Sequence, residues 1–286
     1  MSTPHIGLLG SIVIWHDRKE FNPGPPKQRA LLAVLSMRLG EVISRDELID
    51  AIWGDRPPAT ARSSLHTYVA NLRRRLTPRR SPDGWSQPLT SNRSGYVLDL
   101  SPGGLDAWRF EDLLAQARQG RRGHDARTAL AGYDRSLSMW RGTALLGAPG
   151  PFAEVERTRL AELRLIAMQE RLLLLLELGR RVEALNDVTA LVHQHPLNEH
   201  LRIMQMIILC RSGRQADAFR VFEETQRALA AELGIAPSYE LRLCHEWMLR
   251  GNPELELRVT SMHIPGAGRP AGHYGGVLAG QQGRCH

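Results

Sequence analysis

The sequence predicts a mainly α-helical protein in two parts. A winged helix-turn-helix with small β-strands and a β-hairpin wing comes first, followed by an all-α, tetratricopeptide-like helical domain. Three observations predict it. Short β-prone runs bracket three amphipathic, helix-length stretches within the first hundred residues. From "GGLDAWRFEDLL" onward strand signals fade and helical periodicity takes over. Two later segments, "GRRVEAL" from 179 and "GRQADAF" from 213, repeat at a spacing of 34 residues.

"HIGLLGSIVIW" (5–15) alternates loosely around a glycine turn and reads as one or two short strands. "PGPPKQRALLAVLSMRLG" sets prolines ahead of Leu31, Leu32, Val34, Leu35 and Leu39, with Gly40 as a stop, so a helix of about three turns is expected. "VISRDELIDAIWG" opens with Ser44 and Glu47 at capping-box spacing, and Ile43 and Leu48 can close a hydrophobic staple. That second helix should run to Trp53 and stop at Gly54. "ARSSLHTYVANLRRRL" (61–76) is the third helix. "LTSNRSGYVLDL" has β-prone ends around a polar Asn-Arg-Ser-Gly centre, the pattern of a hairpin.

In the second part Gly179 pairs with Gly213, Arg180 with Arg214, Ala184 with Ala218 and Leu185 with Phe219. A period of 34 with small residues at the helix crossing is the signature of stacked helical hairpins of tetratricopeptide type. "GHDARTALAGYDRSL" from 123 reads as a more divergent copy. "RLLLLLEL" (171–178) is bracketed by charges and far shorter than a membrane span, so it is expected as a buried helix segment and no membrane association is foreseen. The expected organisation is a winged-helix domain over 1–100, a helical domain over 101–250, and a Gly- and Pro-rich flexible tail over 251–286.

The net charge of +7 is unevenly placed. Residues 62–80 hold six arginines and no acid, whereas 101–286 balance 23 arginines against 21 acids. Such local basicity points to one polyanion-facing surface. Cys210, Cys244 and Cys285 form no CxxC pair, so neither a disulfide framework nor a cysteine metal site is indicated. No secretory signal is read, and a reducing cytoplasm, at the nucleoid, is the expected location.

On a wheel at 100° per residue, Leu65, Tyr68, Val69, Leu72 and Leu76 of the third helix form the core stripe. Opposite lie Ser63, Thr67, Ala70 and Arg74; His66 and Arg73 flank one side, and Ser64, Asn71 and Arg75 the other. Small residues at the centre let a helix approach the floor of the major groove, with flanking donors reaching bases and phosphates. Asn71 can serve an adenine edge and the arginines guanine or phosphate, while Arg62 adds charge at the helix start. The competing reading is a solvated amphipathic helix whose basic end complements its own dipole. Position between a capped helix and a hairpin wing favours DNA. In the wing, Asn92 and Arg93 are placed to enter an adjacent minor groove.

These stretches resemble the Streptomyces antibiotic regulatory proteins. The resemblance runs through "PPKQRALLAVL", "VISRDELIDAIWGDRPPATARSSLHTYVANLRRRL", "GYVLDL", "MWRGTALL" and "HPLNEHLRIMQMIILCRSGRQADAFRVFEETQRALAAELGIAPS", covering about residues 5–250. It implies an OmpR-type winged helix joined to a bacterial transcriptional activation domain. It further implies an activator of a secondary-metabolite gene cluster, binding direct repeats near the −35 region as a homodimer or tandem protomers and recruiting RNA polymerase holoenzyme. Carried over by motif, the DNA contacts fall on Ser63, Ser64, Thr67, Asn71, Arg73 and Arg74, with Asn92 and Arg93 in the wing. The wing tip "SNRSGY" lacks the proline the family pattern leads one to expect, and Asn71 stands where serine or arginine is expected.

No enzyme or cofactor is indicated. A P-loop needs Gly-Lys followed by Ser or Thr, and neither Lys19 nor Lys27 follows a glycine. With some 25 residues ahead of the first helix, no phosphoacceptor domain is expected there. "HQHPLNEH" offers His193, His195 and His200, but the first two straddle a helix end and Pro196, so a surface cluster is favoured over a metal site. No GxSxG elbow occurs. Three other functions stay open at this stage. One is a repeat-protein adaptor with a non-specific basic helix, another a repressor built on the same DNA-binding domain, and the third a sensor with a small molecule in the helical concave face.

Overall fold

The computed structural model describes residues 4–16, 19–77, 87–101 and 103–251. The tail expected over 251–286 thus lies, from residue 252, outside the described residues, as do Arg79 and Arg80 of the basic stretch. Among the described residues the chain forms two compact units: residues up to Arg109 together with Met139–Ala161, and Phe110–Ser138 together with residues 162–251.

The first unit opens with an antiparallel sheet of β1 (His5–Gly7), β2 (Val13–His16) and β3 (Lys19–Phe21), in the order β1-β2-β3. The expectation of one or two strands missed β3. Its Lys19 and Glu20 are both exposed, so no apolar alternation marks it, and pairing with β2 alone makes it a strand.

Three helices follow: α1 (Pro26–Met37), α2 (Arg45–Trp53) and α3 (Ala61–Leu76). Pro25 caps α1 and Pro26 occupies its first turn, where a missing N–H costs nothing. The α2 cap forms by half: Glu47 N–H donates to Ser44 Oγ at 3.2 Å. The Glu47 carboxylate does not reach back to Ser44; it pairs with the Arg38 guanidinium. Ile43 and Leu48, the staple pair, are both fully buried. Gly54, at φ +66°, ends α2 as expected.

Ile43–Ser44 is also a short strand, β4, paired with β6 (Gly95–Leu98), which pairs in turn with β5 (Leu89–Ser91). The sheet order β4-β6-β5 makes the hairpin a wing seated beside three helices, and the unit is a winged helix-turn-helix. Only Gly fits at 95, since a Cβ there would lie 1.9 Å from the Ile43 carbonyl oxygen.

Residues 139–161 lie beyond the break expected at residue 100, yet they pack with this first unit, and "MWRGTALL" explains how. Arg141 sits 4.7 Å over the Trp15 ring and pairs with Asp106 at 2.9 Å. Asp106 in turn accepts from the Leu8 and Leu9 amides at 2.6 and 3.1 Å. Burial raises the Asp106 carboxyl above its ordinary range, opposed by these donors.

The second unit is all helix among its described residues. Its elements are α4 (Asp106–Arg122) from Phe110, α5 (Ala126–Leu137), α6 (Pro151–Glu177) from Glu162, α7 (Arg181–Gln194), α8 (Glu199–Arg211), α9 (Gln215–Glu232) and α10 (Tyr239–Arg250). Leu172 to Leu176 are buried, as the apolar run predicts.

The repeat is visible in the turns. Gly179 and Gly213 adopt φ of +73° and +74°, and the following amides, Arg180 and Arg214, donate back to Leu175 and Leu209 at 2.8 and 2.9 Å. That is one C-terminal cap used twice, each time requiring a left-handed residue. The divergent copy has the same turn one residue later than its glycine suggests. There His124 takes φ +62° and Asp125 N–H donates to Gly120 O at 3.1 Å. In that register Ala129 matches Ala184 and Ala218, and all three are fully buried.

Candidate nucleic-acid interface

The α3 helix divides as its periodicity predicts. Ala61, Leu65, Val69, Leu72 and Leu76 are buried, while Ser63, Thr67, Ala70 and Arg74 are exposed along the opposite side. Tyr68 is half-exposed rather than core, stacked on Trp53 at 6.4 Å. The centre of the exposed face is quiet: Ser63 Oγ donates to the Thr60 carbonyl at 2.9 Å and Thr67 Oγ1 to the Ser63 carbonyl at 3.1 Å. Both hydroxyls fold back on their own helix, which keeps the face low enough for close approach to a groove.

The arginines split by role. Arg62 is exposed and bridged to Asp46 at 2.7 Å, a pair open enough to water to be given up at little cost. Arg74 and Arg75 are exposed; Arg75 donates to the Asn22 carbonyl and Arg74 to the Asn71 side-chain oxygen. Arg73 is half-buried, and its Nε donates to the Leu89 carbonyl at 2.9 Å, tying α3 to the first strand of the wing.

Asn71 is half-buried, with both ends of its amide engaged. Nδ2 donates to Gln28 Oε1 at 3.3 Å, and Oδ1 accepts from Arg74. Ser64 is half-buried on the same flank.

At the wing tip, Asn92 Oδ1 accepts from the Ser94 and Gly95 amides at 2.9 and 2.8 Å. This Asx turn builds the tip. Arg93 stands exposed on it.

Three residues that sequence reasoning passed over, Arg45, Tyr96 and Gln28, also shape the face. Arg45 Nη1 donates to the Arg93 carbonyl at 3.4 Å and its guanidinium lies 5.7 Å from the Tyr96 ring, steadying the wing from the start of α2. His66 Nδ1 and Tyr96 OH share a hydrogen bond at 3.0 Å, a second tie between α3 and the wing. Gln28, on α1, has no exposure to solvent and holds Asn71. None gave a signal, because each acts on a partner 30 or more residues away.

Among the described residues no three His, Cys, Asp or Glu side chains are grouped to hold a metal, and no helix is long and apolar enough to cross a membrane. His200 is half-buried, and its Nε2, itself shielded from solvent, has no hydrogen-bond partner among the described residues.

Comparison with known proteins gives two family matches along the chain. Residues 105–249 match the family model described as bacterial transcriptional activator domain, and residues 20–98 that described as transcriptional regulatory protein, C terminal. The regulatory protein AfsR of Streptomyces coelicolor is 40% identical over 250 residues, covering 87% of this chain and 24% of AfsR. The chain therefore spans about a quarter of that relative's length. The regulatory protein DnrI of Streptomyces peucetius is 32% identical over 88% of this chain and 94% of its own. A solved structure, Mycobacterium tuberculosis EmbR in complex with a low-affinity phosphopeptide, superposes with a TM-score of 0.82 at 28% identity, covering 91% of this chain and 70% of EmbR.

Proposed function

The chain belongs to the Streptomyces antibiotic regulatory protein family of transcriptional regulators, and from that premise we propose that it is a sequence-specific DNA-binding activator of a secondary-metabolite gene cluster. It acts in the cytoplasm, at the nucleoid. The observation that carries the reading is the exposed face of α3. A low centre of Ser63, Thr67 and Ala70 is flanked by arginines on a helix without a single acid. In a winged helix-turn-helix that face is the one offered to the major groove.

In this reading Arg74 and Ser64 meet the duplex along α3, and Arg62 and Arg75 exchange their weak protein partners for phosphates. Arg93 reaches the backbone or the minor groove from the wing, while Arg73 and Asn92 keep the wing in place. The family supplies the rest: direct repeats beside the −35 region, occupied by a homodimer or tandem protomers, and RNA polymerase holoenzyme as the partner recruited. The relatives carry the names of regulatory proteins, which supports a regulator over a catalyst.

The test is a footprint of the purified full chain on promoter DNA from its own gene neighbourhood at physiological salt. Two protected direct repeats adjoining the −35 region are expected. Protection of an inverted repeat over the start site would replace activation by repression. Diffuse, salt-labile protection would reduce the arginines to charge alone and leave an adaptor.

A further inference from the structure

The amide of Gln28 sits in the core of the first unit with no exposure to solvent, beneath the exposed face of α3. Its Nε2 donates to the Pro23 carbonyl, its Oε1 accepts from Asn71 Nδ2 at 3.3 Å, and Asn71 Oδ1 accepts from the Arg74 guanidinium. The direction of this chain is forced at both ends. A proline carbonyl can only accept, so Gln28 must turn its NH2 toward Pro23 and its oxygen toward Asn71. A guanidinium can only donate, so Asn71 must turn its oxygen toward Arg74 and its NH2 inward. Neither amide can flip without setting donor against donor or acceptor against acceptor.

The inner end is anchored as well. Gly24, at φ +120°, lies so close that a Cβ there would stand 2.6 Å from Gln28 Nε2. The same turn is held by Arg29 Nε donating to the Gly24 carbonyl at 2.9 Å and by Gly24 N–H donating to Asn22 Oδ1 at 2.8 Å.

Two consequences follow for DNA reading. Asn71 already commits one N–H to Gln28 and one oxygen lone pair to Arg74, so these partners set its amide plane, and turning that plane to suit an adenine edge would leave Gln28 Oε1 buried without a donor. Arg74, by contrast, lies at the centre of the exposed face, and one of its nitrogens is already pinned. A planar fork held in one orientation is what bidentate reading of a guanine edge requires.

We propose that Gln28 is a positioning residue for base recognition: acting through Asn71, it orients the guanidinium of Arg74, and Arg74 rather than Asn71 reads a base pair. The proposal rests on the DNA-binding reading above and adds to it a specificity device rooted in the core.

The experiment starts from a random-sequence duplex library, from which the full chain selects its preferred site. Affinity is then measured by fluorescence anisotropy for that duplex and for each single base-pair change, with wild type, Arg74→Ala, Gln28→Leu and the double variant. Arg74→Ala should lose roughly ten-fold or more of the discrimination at one base pair. Gln28→Leu should lose most of the discrimination at that same base pair and keep it elsewhere, and the double variant should be no worse than Arg74→Ala. A purely structural glutamine would lower the melting temperature, leave the discrimination profile intact, and add its loss to that of Arg74→Ala; that result overturns the relay.

Should Gln28→Leu fail to fold, Asn71→Leu breaks the same chain at a half-exposed position. Loss at Arg74's base pair supports the relay, whereas loss at a different base pair makes Asn71 a reader in its own right and ends it. If wild type enriches no sequence at all, DNA reading fails and the relay with it, an outcome distinct from an enriched site indifferent to Gln28.

Discussion

Arginine has opposite surroundings in the two units. On α3, Arg62, Arg73, Arg74 and Arg75 share their helix with no acid, and among the described residues only Arg62 has a carboxylate partner, on α2. In the helical unit, Arg171 alone pairs with Asp134, Glu183 and Asp187, which joins α6 to α5 and α7. Arg118 grips the Glu170 carboxylate at 3.0 Å from α4 to α6, with side-chain exposures of 16% and 6%. Arg73, Arg74 and Arg75 spend their hydrogen bonds on neutral carbonyls and an amide, so their positive charge remains to act outward. The second set is neutralised where it lies, and its charge serves inter-helix register. Counting arginines says little, therefore; what faces each guanidinium decides whether it is a binding group or a strut.

The sharpest way to break this contrast is Arg118→Ala. Glu170 would be left buried and unpaired; burial already raises its carboxyl above the ordinary range, with Arg118 opposing the rise. Thermal or chemical denaturation should show a loss of about 3 kcal/mol, while DNA affinity per folded molecule stays unchanged. An Arg118→Met, Glu170→Leu double variant should recover most of it. A parallel loss of DNA binding in the folded fraction would mean that the struts also belong to the interface.

Arg73→Ala tests the one α3 arginine that behaves like a strut. Freeing the Leu89 carbonyl should cost about 1 kcal/mol of stability by denaturant titration and loosen the wing. Stability equal to wild type would return Arg73 to the binding set.

Arg93→Ala should leave the melting curve alone and flatten the dependence of log affinity on log salt by roughly 0.9, provided the wing meets a phosphate. An unchanged slope would remove Arg93 from the backbone contacts.

The smallest effect concerns pH. Burial lowers the imidazoles of His200 and His245 below their ordinary value, so the fold keeps them neutral where the unfolded chain takes up protons. Their stability contribution is present above the ordinary histidine range and is lost as pH falls through it toward the depressed folded values. Melting followed by circular dichroism at pH 7.5 and 5.5 should show the decline, made shallower by His200→Gln. A decline identical in that variant would assign the proton uptake elsewhere.

Much of this could be read directly from the chain, for a physical reason: the features concerned are local. Pro25 and Pro26 at the start of α1, Ser44 before α2, Gly54 after it, and the glycines at 179 and 213 each act within one turn of backbone. The stripe of Leu65, Val69, Leu72 and Leu76 is a period, and periods survive without neighbours. Where a local sign was weak, the reading slipped: β3 exists only through its pairing with β2.

The exposed face of α3 was therefore determined by sequence alone, together with the winged-helix order and the repeat. What each side chain on that face does was decided only by tertiary structure. Arg73 and Arg74 are adjacent in the chain, yet one is drawn to the wing by a carbonyl 16 residues away and the other to an asparagine on its own helix. Asn71 looks like a free base reader until Gln28, 43 residues earlier, takes one of its two N–H donors. Residues 139–161 join the first unit because Trp15 and Asp106 both meet Arg141, a convergence of three distant segments. Hydrogen bonds are short-ranged and directional, so the identity of a partner depends on which segments folding brings within 3 Å, and no spacing along the chain carries that information.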